Sequence, residues 1–166
     1  MTPPTGSFTC DITLRRVRAP QFTREDKDGV TSFTARDYHL AYETTLQFVD
    51  GARVLIRADV FGDVNRRLVV RDGAGRPAKM CGYVNGRVEI ADDAGVLIFR
   101  GSYYDARVLQ ALAGDDACTP VGEAAVDHWE SAMGEGPYAG HMLTLGGRMT
   151  RKGDEPLHGT VAGEIH

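Results

Sequence analysis

Val96-Leu97-Ile98-Phe99-Arg100-Gly101-Ser102-Tyr103-Tyr104 opens the last third of the chain, and Leu157-His158-Gly159-Thr160-Val161-Ala162-Gly163-Glu164-Ile165 closes it. In the closing run apolar and small residues recur at every second position. That is the period of a strand with one buried face. Its glycines stand where a curved sheet must bend. Between the two runs lies Gly136-Pro137-Tyr138-Ala139-Gly140-His141, a turn-rich return into a further strand. Glycine-punctuated strands of this kind read as a small closed barrel.

The same alternation extends toward the N-terminus. Phe8 to Val17 reads as a first strand, behind a flexible lead over residues 1–7. Residues 19–32 are polar and turn-rich and read as a loop or mobile cap. Phe33 to Val49 reads as one bent strand. In it Tyr38, Leu40, Tyr42, Thr44, Leu46 and Phe48 share one face, and Asp37, His39, Glu43, Thr45 and Gln47 share the other. Asp50-Gly51 is a hairpin signal leading into Arg53 to Phe61, whose Val54, Ile56, Ala58 and Val60 face inward. Leu68 to Arg71 reads as a further short strand, closed by the turn Asp72-Gly73-Ala74-Gly75. Asn85-Gly86 is the strongest hairpin dipeptide in the chain, between Lys79–Val84 and Arg87–Ala91. Asp92-Asp93-Ala94-Gly95 turns into Val96 to Tyr104.

Residues 105–133 read as a helical insert. Val108, Leu109 and Leu112 share a helical side, and Gly114 fits a stop. Thr119-Pro120 fits an N-cap and first turn for a second helix, with Val121, Ala125 and Trp129 on one stripe. Tyr138 to Thr150 and Leu157 to Ile165 are the last strands, joined by Lys152-Gly153-Asp154-Glu155. The expected fold is therefore a single domain over residues 1–166. It is a mainly β, antiparallel, closed barrel of about eight strands with a helical insert before the last two. Closure removes exposed edges, and an eight-stranded interior either fills with side chains or holds one small ligand.

Composition narrows the function classes. The chain has 166 residues, 42% of them hydrophobic and 25% charged, with a net charge of −4. A nucleic-acid partner would call for a basic face, so none is expected. No stretch approaches the ~20 apolar residues of a membrane span. Cys10, Cys81 and Cys118 lack zinc-type spacing and read as reduced thiols. The start Met1-Thr2-Pro3-Pro4-Thr5-Gly6 has neither a basic nor an apolar segment. These features lead to the expectation of a cytoplasmic protein. Abundant Arg, Ala, Gly, Asp and Val point to a high-GC bacterial source.

The chain shows no phosphate-binding glycine loop before a helix and no Gly-x-Ser-x-Gly elbow. His39, His128, His141, His158 and His166 are dispersed, so no metal and no cofactor is expected. What remains is binding, or catalysis by shape and a few polar groups. Tyr38 and Tyr42 are either barrel core or pocket wall, each phenol offering an apolar body and one orienting hydroxyl. Phe99 and Tyr138 are further candidates for contact with a substrate. Of Tyr103 and Tyr104, alternation sends one inward and one outward. Tyr104 is paired with His141 as a catalytic candidate. His141 is in phase with Ala139, Leu143 and Leu145, which suits either a core histidine or one that orients a ligand. Trp129 either packs the insert on the barrel or covers its mouth. His128, flanked by acids, reads as a surface residue. Glu43 and Asp59 read as exterior.

Gly136-Pro137-Tyr138-Ala139-Gly140, the Gly146-Gly147 pair and Gly159-Thr160-Val161-Ala162-Gly163-Glu164-Ile165 resemble the closing strands of the allene oxide cyclase-like barrels, which include dirigent proteins and bacterial polyketide cyclases. The resemblance covers about thirty residues. It implies a lumen that folds a flexible, mostly apolar substrate and steers a cyclisation by positioning, with no cofactor. A cyclase or isomerase of bacterial secondary metabolism is the leading expectation. A lipocalin-like carrier or sensor of a small hydrophobic molecule is the alternative, and a barrel packed solid is the third. Small barrels of this kind often dimerise, so a homodimer is admitted as an assembly.

Overall fold

The computed structural model describes residues 2–166, with the side chains of residues 105 and 106 left out of the description. It contains ten strands: β1 (Gly6–Arg18), β2 (Gln21–Lys27), β3 (Val30–Arg36), β4 (Tyr38–Phe48), β5 (Arg53–Arg71), β6 (Pro77–Asp92), β7 (Leu97–Leu112), β8 (Pro120–Gly134), β9 (Met142–Lys152) and β10 (Leu157–Ile165). Eight of them close on themselves in the order β5-β4-β1-β10-β9-β8-β7-β6, with β6 pairing back onto β5. Every pairing is antiparallel. The β2–β3 hairpin stands outside the ring and extends it at one end, where β3 pairs with the second half of β5.

The helical insert is absent. Residues 105–112 continue β7, and residues 120–133 belong to β8, paired from Leu112↔Pro120 to Arg100↔Met133. Thr119 does not cap a helix. Its amide and hydroxyl both donate to the Asp115 carboxylate, at 2.9 and 2.6 Å, inside the β7–β8 turn. Residues 120–133 mislead because their buried face is Ala124, Val126, His128, Glu130 and Ala132. Small and polar side chains on that face erase the alternation by which a strand is recognised.

Five other expectations change. Asn85-Gly86 lies inside β6, not at a turn. Gly86 is needed there because a Cβ would stand 2.0 Å from the Phe61 carbonyl oxygen. Leu68–Arg71 is the end of the 19-residue β5. Residues 19–32 hold β2 and the start of β3, turned at Asp28-Gly29, both with positive φ. The lead ends early, because β1 begins at Gly6. The bent strand over Phe33–Val49 is broken into β3 and β4 by Asp37, whose φ is +54°. The turns at Asp50-Gly51, Asp72–Gly75, Asp92–Gly95 and Lys152–Glu155 fall between strands as expected.

The interior is layered. At one end Phe8, Phe48 and Phe99 are buried with Tyr138, which lies on a single 3₁₀ turn, Gly136–Tyr138, in the β8–β9 connection. The Phe8 and Phe48 rings are 5.5 Å apart, and those of Phe99 and Tyr138 4.7 Å. Interior glycines make room for these rings: a Cβ on Gly163 would lie 2.4 Å from Phe8 Cζ. The other end flares. There Val69, Met80, Leu112 and Cys118 form a separate small core with Phe33 beside it. Arg24 Nη2 donates to the Asp116 carbonyl at 3.1 Å, tying the β2–β3 hairpin to the β7–β8 turn.

Candidate functional site

Halfway along the barrel, β4 and β8 lie on opposite walls, four strand steps apart in either direction. Alternation on β4 points Tyr42 inward, and alternation on β8 points His128 and Glu130 inward. Tyr42 Oη donates to Glu130 Oε2 at 2.7 Å, so one hydrogen bond spans the lumen. His128 Nε2 and Glu130 Oε1 share a second, also at 2.7 Å. The Tyr103 ring stacks obliquely on His128, with centroids 4.9 Å apart. Glu130 is 0% exposed and Tyr42 and His128 1% each. A buried carboxylate without partners costs several kcal/mol, and here two hydrogen bonds offset that cost.

The surroundings suit a sealed strut. Burial, then the Glu130 charge, raises the Tyr42 phenol well above its ordinary value. Burial also pushes the Cys10 thiol up to about 12, with Thr44 opposing and Glu130 adding to the rise. His128 Nδ1 is buried and has no hydrogen-bond partner. His128 is thus interior, not surface, because its flanking acids Asp127 and Glu130 do not share one side. Asp127 faces out and binds Arg148 at 3.1 Å, while Glu130 faces in.

Space for a ligand lies elsewhere, at the flared end. A cavity of about 330 Å³ opens between the barrel mouth and the hairpins above it. Leu14, Leu40, Tyr38 and Leu157 supply its barrel side, and Phe22, Phe33 and Met80 its flap side. Arg16, Arg67, Arg151, Asp154 and Glu155 enter it as charged groups, with Asn65 and Gln110 as neutral polar ones. Arg67 Nε donates to Asn65 Oδ1 at 3.1 Å. The position of the arginines follows from alternation. Phe8, Cys10, Ile12 and Leu14 face inward on β1, and Arg16 is next in that stripe. Leu143, Leu145, Gly147 and Met149 face inward on β9, and Arg151 is next. Leu14 pairs with Leu157, and Thr150 pairs with His158, so the two arginines flank the start of β10.

The expected site residues are scattered through these regions. Tyr38 lines the cavity, its ring lying over Gly62, where a Cβ would be 1.8 Å from Cζ. Tyr42 is in the strut. Phe99 and Tyr138 plug the closed end. His141 is half-buried at that same end, 6.4 Å from the Tyr138 ring centroid, and does not face the cavity. Ala139, its expected companion, is exposed, because the strand begins only at Met142. Tyr104 is 48% exposed and Trp129 52%, paired side by side on the outer wall. Trp129 therefore neither packs a helix nor covers the mouth. It lies on Gly146, where a Cβ would be 2.2 Å from its ring. With Tyr104 and Arg148 it borders a broad outer depression of about 530 Å³. Glu43 and Asp59 are exterior, bonded to Arg57 and His39.

Glu130 and Arg151 were not singled out from sequence, and Arg16, clustered with Arg15 and Arg18, read there as part of a solvated barrel exterior, whereas it lines the cavity. Arg16 and Arg151 had a signal there, since each ends an apolar period-two stripe. Glu130 had none. Among the described residues no group of three or more His, Cys, Asp or Glu is placed to hold a metal ion, and no helix is long and apolar enough to cross a membrane. Comparison of the chain with protein-family models, curated proteins and solved structures gives no significant match.

Proposed function

We propose that the protein holds one small, largely apolar organic molecule at the open end of its barrel, as a carrier or sensor. The observation behind this reading is the cavity of about 330 Å³ with an apolar floor. That volume is at the lower end of the ~300–1,000 Å³ of small-molecule sites, so the guest is small. Leu14, Leu40 and Leu157 give it an apolar floor, Gln110 is a buried polar group in its wall, and Arg16, Asp154 and Glu155 are exposed at its edge. An apolar body is therefore desolvated first and its polar end stays near water. The centre of the barrel is filled by buried side chains, with Tyr42, Glu130 and His128 bonded across it.

A neutral solvatochromic dye such as Nile red tests this. Saturable binding of one dye per chain is expected. Leu157→Trp, which fills the mouth, should weaken binding at least tenfold, and Trp129→Ala on the outer wall should leave it unchanged. The reading falls if Trp129→Ala removes binding while Leu157→Trp does not, or if no dye binds at all.

A cyclase or isomerase remains the second reading, and Tyr38 favours it. Its ring is the one aromatic among the expected site residues that meets the cavity. A phenol there could stabilise developing charge on a folded substrate. Loss of turnover in Tyr38→Phe, with dye affinity retained, would identify such a role.

A further inference from the structure

The charges at the cavity are arranged against one another. Arg16 and Arg151 come from strands on either side of β10 and converge above Leu157. Neither has an ion-pair partner among the described residues. Burial, then the Arg16 charge, holds the Arg151 guanidinium below its ordinary proton affinity, and Asp154 only partly opposes them. A guanidinium cannot escape such a conflict by losing its proton at ordinary pH. Asp154 and Glu155 also line the cavity from the exposed β9–β10 turn, and Arg16 is exposed as well, while Arg151 is half-buried. The arginines cap the two inward stripes, above the apolar floor.

We infer that the guest of this cavity is an amphiphilic anion, its apolar body on Leu14, Leu40 and Leu157 and its carboxylate or phosphate head between Arg16 and Arg151. This rests on the proposed binding role and adds the chemical class of the guest. An anion between the two guanidiniums removes their repulsion and gains charge-assisted hydrogen bonds, for which the planar arginine fork is suited. The partial desolvation of Arg151 makes those bonds stronger than at a fully wet surface. The small volume limits the body to a short chain or a single ring system.

The test compares guests that share a tail and differ in the head: octanoate, octyl phosphate, octanol and octylammonium, titrated calorimetrically into the intact protein at low and high salt. Octanoate or octyl phosphate should bind at least tenfold more tightly than octanol, a ratio set by charge-assisted bonding. Raised salt should shrink that advantage, because the rim is partly exposed. Arg16→Gln and Arg151→Gln should each erase most of the preference by weakening the anions far more than octanol, and both should melt near the parent temperature. The stronger of the two anions identifies the head as carboxylate or phosphate. Equal binding of octanol and both anions, or preference for octylammonium, overturns the anion assignment and leaves the binding role standing. Failure of all four to bind, in a protein that also fails to take up Nile red, overturns both.

Discussion

The two ends of the barrel are built from the same inward stripes yet finish in opposite ways. At the closed end β1 and β9 contribute Phe8 and Leu143, and the β8–β9 connection brings Tyr138 beneath them. At the open end the same strands contribute Arg16 and Arg151. Between the ends, Tyr42, Glu130 and His128 brace the walls. A barrel this narrow can be filled by its own side chains. Once the lower and middle layers are filled, only the flared end keeps room for a guest. On the proposed reading, the difference leaves packing to one end, recognition to the other, and a polar tie between the walls in the middle.

The largest expected effect comes from breaking that tie. Glu130→Ala leaves Tyr42 Oη and His128 Nε2 buried without partners and opens a void. Each stranded polar group costs about 1–3 kcal/mol, so a total of about 3–5 kcal/mol is expected by urea unfolding. Tyr42→Phe should cost only about 1 kcal/mol, because Glu130 keeps His128. If the two variants were equally stable, the strut would not brace the walls.

Glycine variants compare the ends directly. A Cβ at Gly163 meets Phe8 Cζ and, equally close at 2.4 Å, the Thr144 carbonyl oxygen, so backbone has to move. At Gly62 the three nearest atoms all belong to the Tyr38 ring. Gly163→Ala should therefore destabilise by about 1–3 kcal/mol. Gly62→Ala should cost less, because Tyr38 can swing into the adjoining cavity, and it should weaken dye binding. A larger loss of stability at Gly62 would mean that the open end is packed as tightly as the closed one.

A further effect concerns alkaline pH. The folded protein holds the Cys10 proton up to about pH 12, whereas the unfolded chain releases it near the ordinary value of 9.0. Tyr42 is shifted in the same direction. Above pH 9 the native state therefore binds more protons than the unfolded state, and stability falls as pH rises. The contribution of Cys10 is fully present below its unfolded value and is lost between about 9 and 12. A decline in the urea midpoint from pH 8 to 11 is expected, shallower in Cys10→Val and shallower again with Tyr42→Phe. The same slope in the parent and the double variant would place the alkaline sensitivity outside the middle layer.

How much of this was legible in the sequence differs from strand to strand. β4 and the first half of β5 were readable because their inward residues are mostly apolar and their outward ones charged. Tyr38, Tyr42, Leu46, Ile56 and Val60 all stand where alternation puts them. β8 was illegible because its buried face carries His128 and Glu130, and the spacing of Val121, Ala125 and Trp129 imitates a helix. The site divided in the same way. Tyr38 could be placed on an inward face from its strand alone. Trp129 and Tyr104 drew notice as large aromatics, but an exposed aromatic resting on a cross-strand glycine satisfies the outer face of a sheet as well as a core does.

Sequence by itself determined the period-two stripes, four of the connecting turns and the closed antiparallel character of the chain, since these depend on neighbours a few residues apart. Tertiary structure alone decided that residues 105–133 are two strand segments and the turn between them, that Glu130 is inside and that two arginines share one cavity. Each of those outcomes depends on a partner distant in the chain: Tyr42 makes a buried carboxylate tolerable 88 residues away, and ring closure brings Arg16 to Arg151. Local pattern cannot encode a partner that arrives only when the barrel closes.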